Sequence, residues 1–177
     1  DVVTVFDSES KLPMRYISVG TKTGADTPHH VRVSPDGKFW YVIFINNNIM
    51  QKFSCADDRL ITDIPLTPFA AGTGTENNLD WNTFVISKDN KRAYVVSWTQ
   101  NGRVACVDLE NGKLLHYSAS LYYPHGIALN ASEDKVYVTA QTGNFITEID
   151  TAFTSANNLS LDSDPSINYS SSVDPHD

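Results

Sequence analysis

The stretch Pro28-His29-His30-Val31-Arg32-Val33-Ser34-Pro35-Asp36-Gly37-Lys38-Phe39-Trp40-Tyr41-Val42-Ile43-Phe44 carries the reading of the whole chain. It opens on a Pro-His step and alternates through Val31, Arg32 and Val33, the pattern of a half-buried strand. Ser34-Pro35-Asp36-Gly37 then supplies a tight turn: proline presets its φ, aspartate bonds nearby backbone, and glycine accepts a positive φ. Residues 39–45 follow as an almost wholly apolar run, which predicts a strand covered on both faces.

The unit recurs. Thr83-Phe84-Val85-Ile86-Ser87 passes through Lys88-Asp89-Asn90-Lys91 into residues 92–97. Pro124-His125-Gly126-Ile127-Ala128-Leu129-Asn130 passes through 131–135 into Val136-Tyr137-Val138-Thr139. The interval from Ser34 to Ser87 is 53 positions, from Ser87 to Asn130 it is 43, and from His125 to His176 it is 51. Four short antiparallel strands repeating at about 40–50 residues are the pattern of propeller blades. No segment has a helical period, which excludes a helical solenoid, and a sandwich would not repeat one turn chemistry at a steady interval. The expected fold class is all-β: a partial β-propeller of about three and a half four-stranded antiparallel blades.

Residues 1–20 read as an outer half-blade, with strands at 2–6 and 13–19 and no inner pair before them. The blade at 28–66 would place strands at 30–34, 39–45, 49–54 and 60–66, with turns at Asn46-Asn47-Asn48 and Ala56-Asp57-Asp58. Residues 67–80 are a polar, Gly-rich insertion, longer than an ordinary connection. The blade at 82–119 would hold strands 83–87, 92–97, 103–108 and 114–118, with a hairpin signal at Asn111-Gly112. The blade at 124–173 would hold strands 125–130, 136–140 and 145–150. Residues 151–173 then lose periodicity and read as a long loop with one poor strand near 167–169. Residues 174–177, containing Pro175-His176-Asp177, read as the start of a further blade.

The chain has 177 residues, 41% hydrophobic and 19% charged, ordinary values for a folded protein. Its net charge of −8 comes with no basic stripe to neutralise phosphates, which argues against nucleic acid and against an anionic membrane surface. No apolar run approaches the length of a membrane span. Without a starting Met or a signal peptide, the chain is expected to be processed or part of something longer. Cys55 and Cys106, both expected in strands and without metal-ligand spacing, read as free buried thiols. A composition rich in Ser, Thr and Asn fits an extracytoplasmic chain, as do the sequons Asn130-Ala131-Ser132, Asn158-Leu159-Ser160 and Asn168-Tyr169-Ser170.

The motifs Pro-His-His/Gly, Ser-Pro-Asp-Gly-Lys-Phe-Trp-Tyr-Val and Asp-x-Glu-Asn-Gly-Lys-Leu resemble the YVTN or YncE-type β-propeller repeat. Lys135-Val136-Tyr137-Val138-Thr139 and residues 107–114 match it best, and the likeness covers about residues 1–151. The resemblance implies a bacterial protein of the periplasm or cell surface. It implies little about activity, since the repeat serves binding proteins, surface-layer proteins, lactonases and the propeller of nitrous oxide reductase. Propellers have about four blades or more, and an open sheet edge invites aggregation. More of the same molecule, or a second chain, is therefore expected to close the ring.

In a propeller the innermost strands line the central channel, so equivalent positions of successive blades converge. Aligning the units puts His29, Asn82, His125 and His176 at one position of the channel mouth, and His30, Thr83, Gly126 and Asp177 at the next. His29, His30, Arg32, Asn82, His125 and His176 are the candidate ligand-binding residues. One reading of the Pro-His steps is structural, a ring nitrogen capping a backbone group of the next blade. The other makes His29, His125 and His176 ligands of a metal ion, copper first, as the resemblance to nitrous oxide reductase and its histidine-bound copper cluster implies. Asn82 breaks that pattern, and such a cluster needs more ligands than these.

Two further enzymatic readings follow from resemblance. A propeller lactonase would use Arg32 as an oxyanion or phosphate partner and Glu76 as general base, although Arg32 between Val31 and Val33 has the spacing of a solvated strand position. Residues 108–116 resemble the docking motif of quinone-cofactor propellers, with His116 where that motif has tryptophan. Phe39, Trp40, Tyr41, Tyr94, Trp98 and Tyr137 read as packing between blades and not as a sugar-stacking platform. No phosphate loop, HExxH, GxSxG or EF-hand pattern occurs. The expectation is a non-catalytic extracytoplasmic scaffold, without cofactor, that presents its Pro-His face to a protein partner or ligand. Its rival is a metal or hydrolytic enzyme centred on His29, His125 and His176.

Overall fold

The computed structural model describes residues 1–21, 24–67 and 79–160. Strands β1 (Val2–Phe6) and β2 (Pro13–Ser18) pair as a two-stranded sheet, the expected half-blade. The first four-stranded sheet holds β3 (Pro28–Val33), β4 (Phe39–Phe44), β5 (Ile49–Ser54) and β6 (Leu60–Pro65) in sequence order. The second holds β7 (Trp81–Ile86), β8 (Arg92–Ser97), β9 (Val104–Asp108) and β10 (Lys113–Tyr117). The third holds β11 (Pro124–Leu129), β12 (Lys135–Ala140), β13 (Phe145–Asp150) and β14 (Ala156–Ser160). All pairings are antiparallel, and the architecture is a partial β-propeller.

One expectation is corrected. The stretch after residue 150 is not all loop: β14 pairs along β13 from Phe145↔Ser160 to Ile149↔Ala156. As the outermost strand it is held by backbone bonds to one neighbour, and so needs no apolar alternation. The strand expected near 167–169 lies outside the described residues.

The first hairpin of each blade closes by the same chemistry. Ser34 and Ser87 hydroxyls donate to Asp36 and Asp89 carboxylates at 2.7 and 2.6 Å. Asn130 Nδ2 donates to Asp134 at 2.7 Å in the third blade. Each turn needs one left-handed residue, filled by Gly37 (φ 71°), Asn90 (62°) and Glu133 (60°). Glycine and asparagine suit that conformation and glutamate does not. Glu133 has a compensating contact, accepting from the backbone N–H of Lys88 in the preceding blade at 2.9 Å. Asn90 likewise accepts from Asp36 N–H at 3.1 Å.

The core lies between successive sheets. Val3, Ile17 and Val19 meet Trp40, Val42, Phe44 and Phe53. Tyr41, Ile43, Met50 and Ile64 meet Trp81, Phe84, Val95 and Val107. Tyr94, Val96, Val104 and Cys106 meet Val136, Val138 and Ile149. Strand β4 is buried from Trp40 to Phe44, as its unbroken apolar run predicts. Burial pushes the Tyr94 phenol up to about 12 and the Cys106 thiol up to about 11. Cys106 is thus an inert packing residue, whereas Cys55 lies one position past β5 and is only half-buried.

Candidate functional site

The Pro-His end is built the same way three times. A left-handed residue precedes each inner strand: Thr27 (φ 55°), Asp80 (49°) and Tyr123 (41°). Their carbonyls accept from the N–H groups of Ile45, Trp98 and Gln141 at 2.9, 2.8 and 2.9 Å, tying each inner strand to the end of the second. The register then slips. Pro28 pairs with Phe44 but His30 with Ile43; Trp81 pairs with Ser97 but Thr83 with Val96; Pro124 pairs with Ala140 but Ile127 with Val138. Each slip is a bulge, and His29, Asn82 and His125 are the residues it turns out of the ladder.

The aligned positions touch from blade to blade. His29 Nδ1 lies 2.6 Å from the backbone carbonyl oxygen of Asn82, the equivalent residue of the next blade, and donates to it. His30 Nδ1 lies 2.6 Å from Thr83 Oγ1, again the equivalent residue. The His30 ring also packs against Phe84, with centroids 5.3 Å apart. Burial is the main influence that pushes the His30 imidazole down to about 4, with Arg32 and then His29 adding to it. His30 is therefore neutral at physiological pH. Arg32 is exposed on β3.

The second junction replaces the imidazole clamp with an aromatic one. Asn82 is 3% exposed, whereas His125 stands perpendicular to the Trp98 ring with centroids 6.2 Å apart. The Trp98 indole N–H donates to Gln141 Oε1 across the same junction. Gly102 fits beneath: a Cβ there would lie 2.5 Å from Pro124 Cδ. Trp98 does reach across to the next blade, as its reading as interblade packing expects, but from the end of the sheets. It is 37% exposed at the Pro-His end, while Trp40 and Tyr41 are 6% and 1% exposed in the interfaces. Its position just past β8, equivalent to Ile45 and Gln141, was the available signal that it belongs to a loop.

Among the described residues, no three His, Cys, Asp or Glu side chains gather where they could hold a metal ion. His176, Asp177 and Glu76 lie outside the described residues. His116, the candidate of the quinone motif, is exposed on the outermost strand of its blade and stands edge-on to Phe153 at 4.8 Å. Asn130, the first sequon residue, spends both ends of its amide on the turn: Nδ2 bonds Ser132 at 3.0 Å, and Oδ1 accepts from Lys135 N–H at 3.1 Å.

No protein-family model and no curated protein matches the chain. Solved structures do match it in fold. A putative 6-phosphogluconolactonase from Bacteroides uniformis is 19% identical with a TM-score of 0.65, over 90% of this chain and 47% of its own. A putative 6-phosphogluconolactonase from Bacteroides fragilis is 21% identical with a TM-score of 0.63, over 89% of this chain and 47% of its own. Hydrazine synthase of Kuenenia stuttgartiensis is 17% identical with a TM-score of 0.64, over 79% of this chain and 37% of its own. The chain thus spans less than half the length of each of these β-propeller proteins.

Proposed function

We propose that the chain is part of an extracytoplasmic bacterial β-propeller of the YVTN/YncE type, working as a binding scaffold whose Pro-His face receives a protein partner or ligand. The observation that carries this reading is the 2.6 Å bond from His29 Nδ1 to the Asn82 carbonyl. The bond commits Nδ1 to the backbone of the next blade and leaves Nε2 as the acceptor nitrogen of the ring, so the Pro-His step acts first as a clamp between blades. Clamped blades hold the loops of that face rigid, and rigid scaffolds with variable loops are suited to binding. The half-blade β1–β2 receives its inner strands from further sequence of the same protein, in the proposed ring. No resident metal is required by this reading.

The test is site-specific photo-crosslinking in the native host material. A photoreactive residue replaces Thr142, which is exposed at the Pro-His end, or Lys38, which is exposed at the opposite end. Crosslinks from position 142 and none from 38 are expected. The reverse pattern would refute the assigned face.

Lactone hydrolysis stands as a second reading, favoured by a neutral His30 two residues from the exposed Arg32 on one face of β3. It requires saturable hydrolysis of a δ-lactone that is lost in Arg32→Ala. Lactone turnover at the buffer rate would remove it.

A further inference from the structure

The two ends of the sheets differ in chemistry. At the Pro-His end, the loops joining second and third strands are residues 45–48, 98–103 and 141–144, and the one charged residue in them is Arg103, half-buried with its guanidinium donating to the Ser118 carbonyl at 3.3 Å. The rest are Asn, Gln, Thr and Gly, with Ile45 and Trp98. At the other end, the turns expose Lys38, Asp57, Asp89, Lys91, Glu110 and Asp134.

Within these loops, one aromatic ring is both exposed and held. Trp98 is 37% exposed, yet its indole N–H is fixed by Gln141 and one side of its ring is fixed by His125. Tyr122, 48% exposed, lies on the connection to the third blade and stands edge-on to Tyr123 at 5.0 Å. That connection is tied to the Trp98 loop by Leu121 N–H donating to the Gly102 carbonyl at 2.8 Å. Gln100 and Asn101, exposed in the same loop, offer carboxamides.

We propose that this corner is a subsite for a neutral saccharide ring. The apolar C–H face of a sugar stacks on an aromatic plate, and its hydroxyls need groups that both donate and accept, as carboxamides do. In these three loops an anionic ligand would meet only the Arg103 guanidinium, already bonded to the Ser118 carbonyl, and a cationic one would meet no carboxylate. Because Trp98 is already oriented, little side-chain entropy is lost on binding. The inference rests on the reading of the Pro-His face as a binding surface, and names the ligand class of one part of it.

The experiment is a glycan array of neutral and acidic oligosaccharides probed with the purified protein, followed by titration of the best neutral glycan with intrinsic tryptophan fluorescence. Neutral glycans are expected to bind. Trp98→Ala should weaken association about tenfold or more, and Trp98→Phe much less. Gln100→Ala/Asn101→Ala, at two exposed positions, should also weaken it while leaving the melting temperature unchanged, which guards against a misfolded Trp98 variant. Binding confined to acidic glycans, binding insensitive to all three variants, or no glycan binding would each overturn the subsite. If crosslinking from position 142 still captures a partner in that last case, the binding face stands and only its saccharide assignment falls.

Discussion

Acidification is predicted to weaken the first blade junction through His30. The folded state holds this imidazole near 4, against an ordinary value of 6.5. Between those values the unfolded chain binds the proton and the folded chain does not, so stability falls as pH falls from 6.5 towards 4, and is fully present above 6.5. At about 1.4 kcal/mol per tenfold in proton affinity, the whole difference would be worth roughly 3 kcal/mol. The ring is only half-buried, and solvent screening reduces the expected loss to about 1–1.5 kcal/mol. Carboxylates bonded in turns, such as Asp36 and Asp89, also lose stability on acidification, because hydrogen bonds lower their pKa values. A difference measurement isolates the histidine: urea midpoints of the parent and of His30→Asn, from pH 7.5 to 4. The variant is less stable at pH 7.5, and the gap closes as pH approaches 4. Parallel curves over the whole range would refute the assignment of burial to this imidazole.

Two substitutions probe the packing that holds the site. Trp81 is fully buried, donates its indole N–H to Asn48 Oδ1 at 3.0 Å and stacks with Tyr117 at 6.5 Å. Trp81→Ala should cost about 3–5 kcal/mol by chemical denaturation, and a loss under about 1 kcal/mol would contradict its place in the interface core. Gly102→Ala would bring a Cβ to 2.3 Å from the Ser97 carbonyl oxygen and 2.5 Å from Pro124 Cδ, with backbone and ring both unable to yield easily. It should cost about 1–3 kcal/mol and shift the Trp98 emission, and unchanged emission would show that the junction is not as tight as described.

Most of the fold was legible because its signals are local and repeated. The turn at Ser34-Pro35-Asp36-Gly37 and the buried run after it can hardly form anything but a hairpin, and the same logic located β7–β8 and β11–β12. Strand β14 escaped because an outermost strand leaves no apolar alternation: residues Asn157, Asn158 and Ser160 look like loop, yet their backbone is paired. The site was legible in position but not in direction. Alignment of the blades matched His29 with Asn82 and His30 with Thr83, and these pairs do meet. That the meeting is a clamp follows from the bulge, which one-dimensional periodicity does not reveal. Trp98 was legible as a contact between blades but not as an exposed one, for a related reason. An aromatic residue at a strand end suggests packing, and only the three-dimensional junction shows that Gln141 and His125 hold it at the surface.

The central claim is that the Pro-His imidazoles are architecture and that the face they stiffen binds a ligand without a resident metal. Elemental mass spectrometry of the natively purified protein, alongside protein quantitation, tests it. The account predicts copper, iron and zinc well below one equivalent, unchanged in His29→Ala/His125→Ala. Near-stoichiometric metal that disappears in that variant would contradict it and make the channel mouth a metal centre.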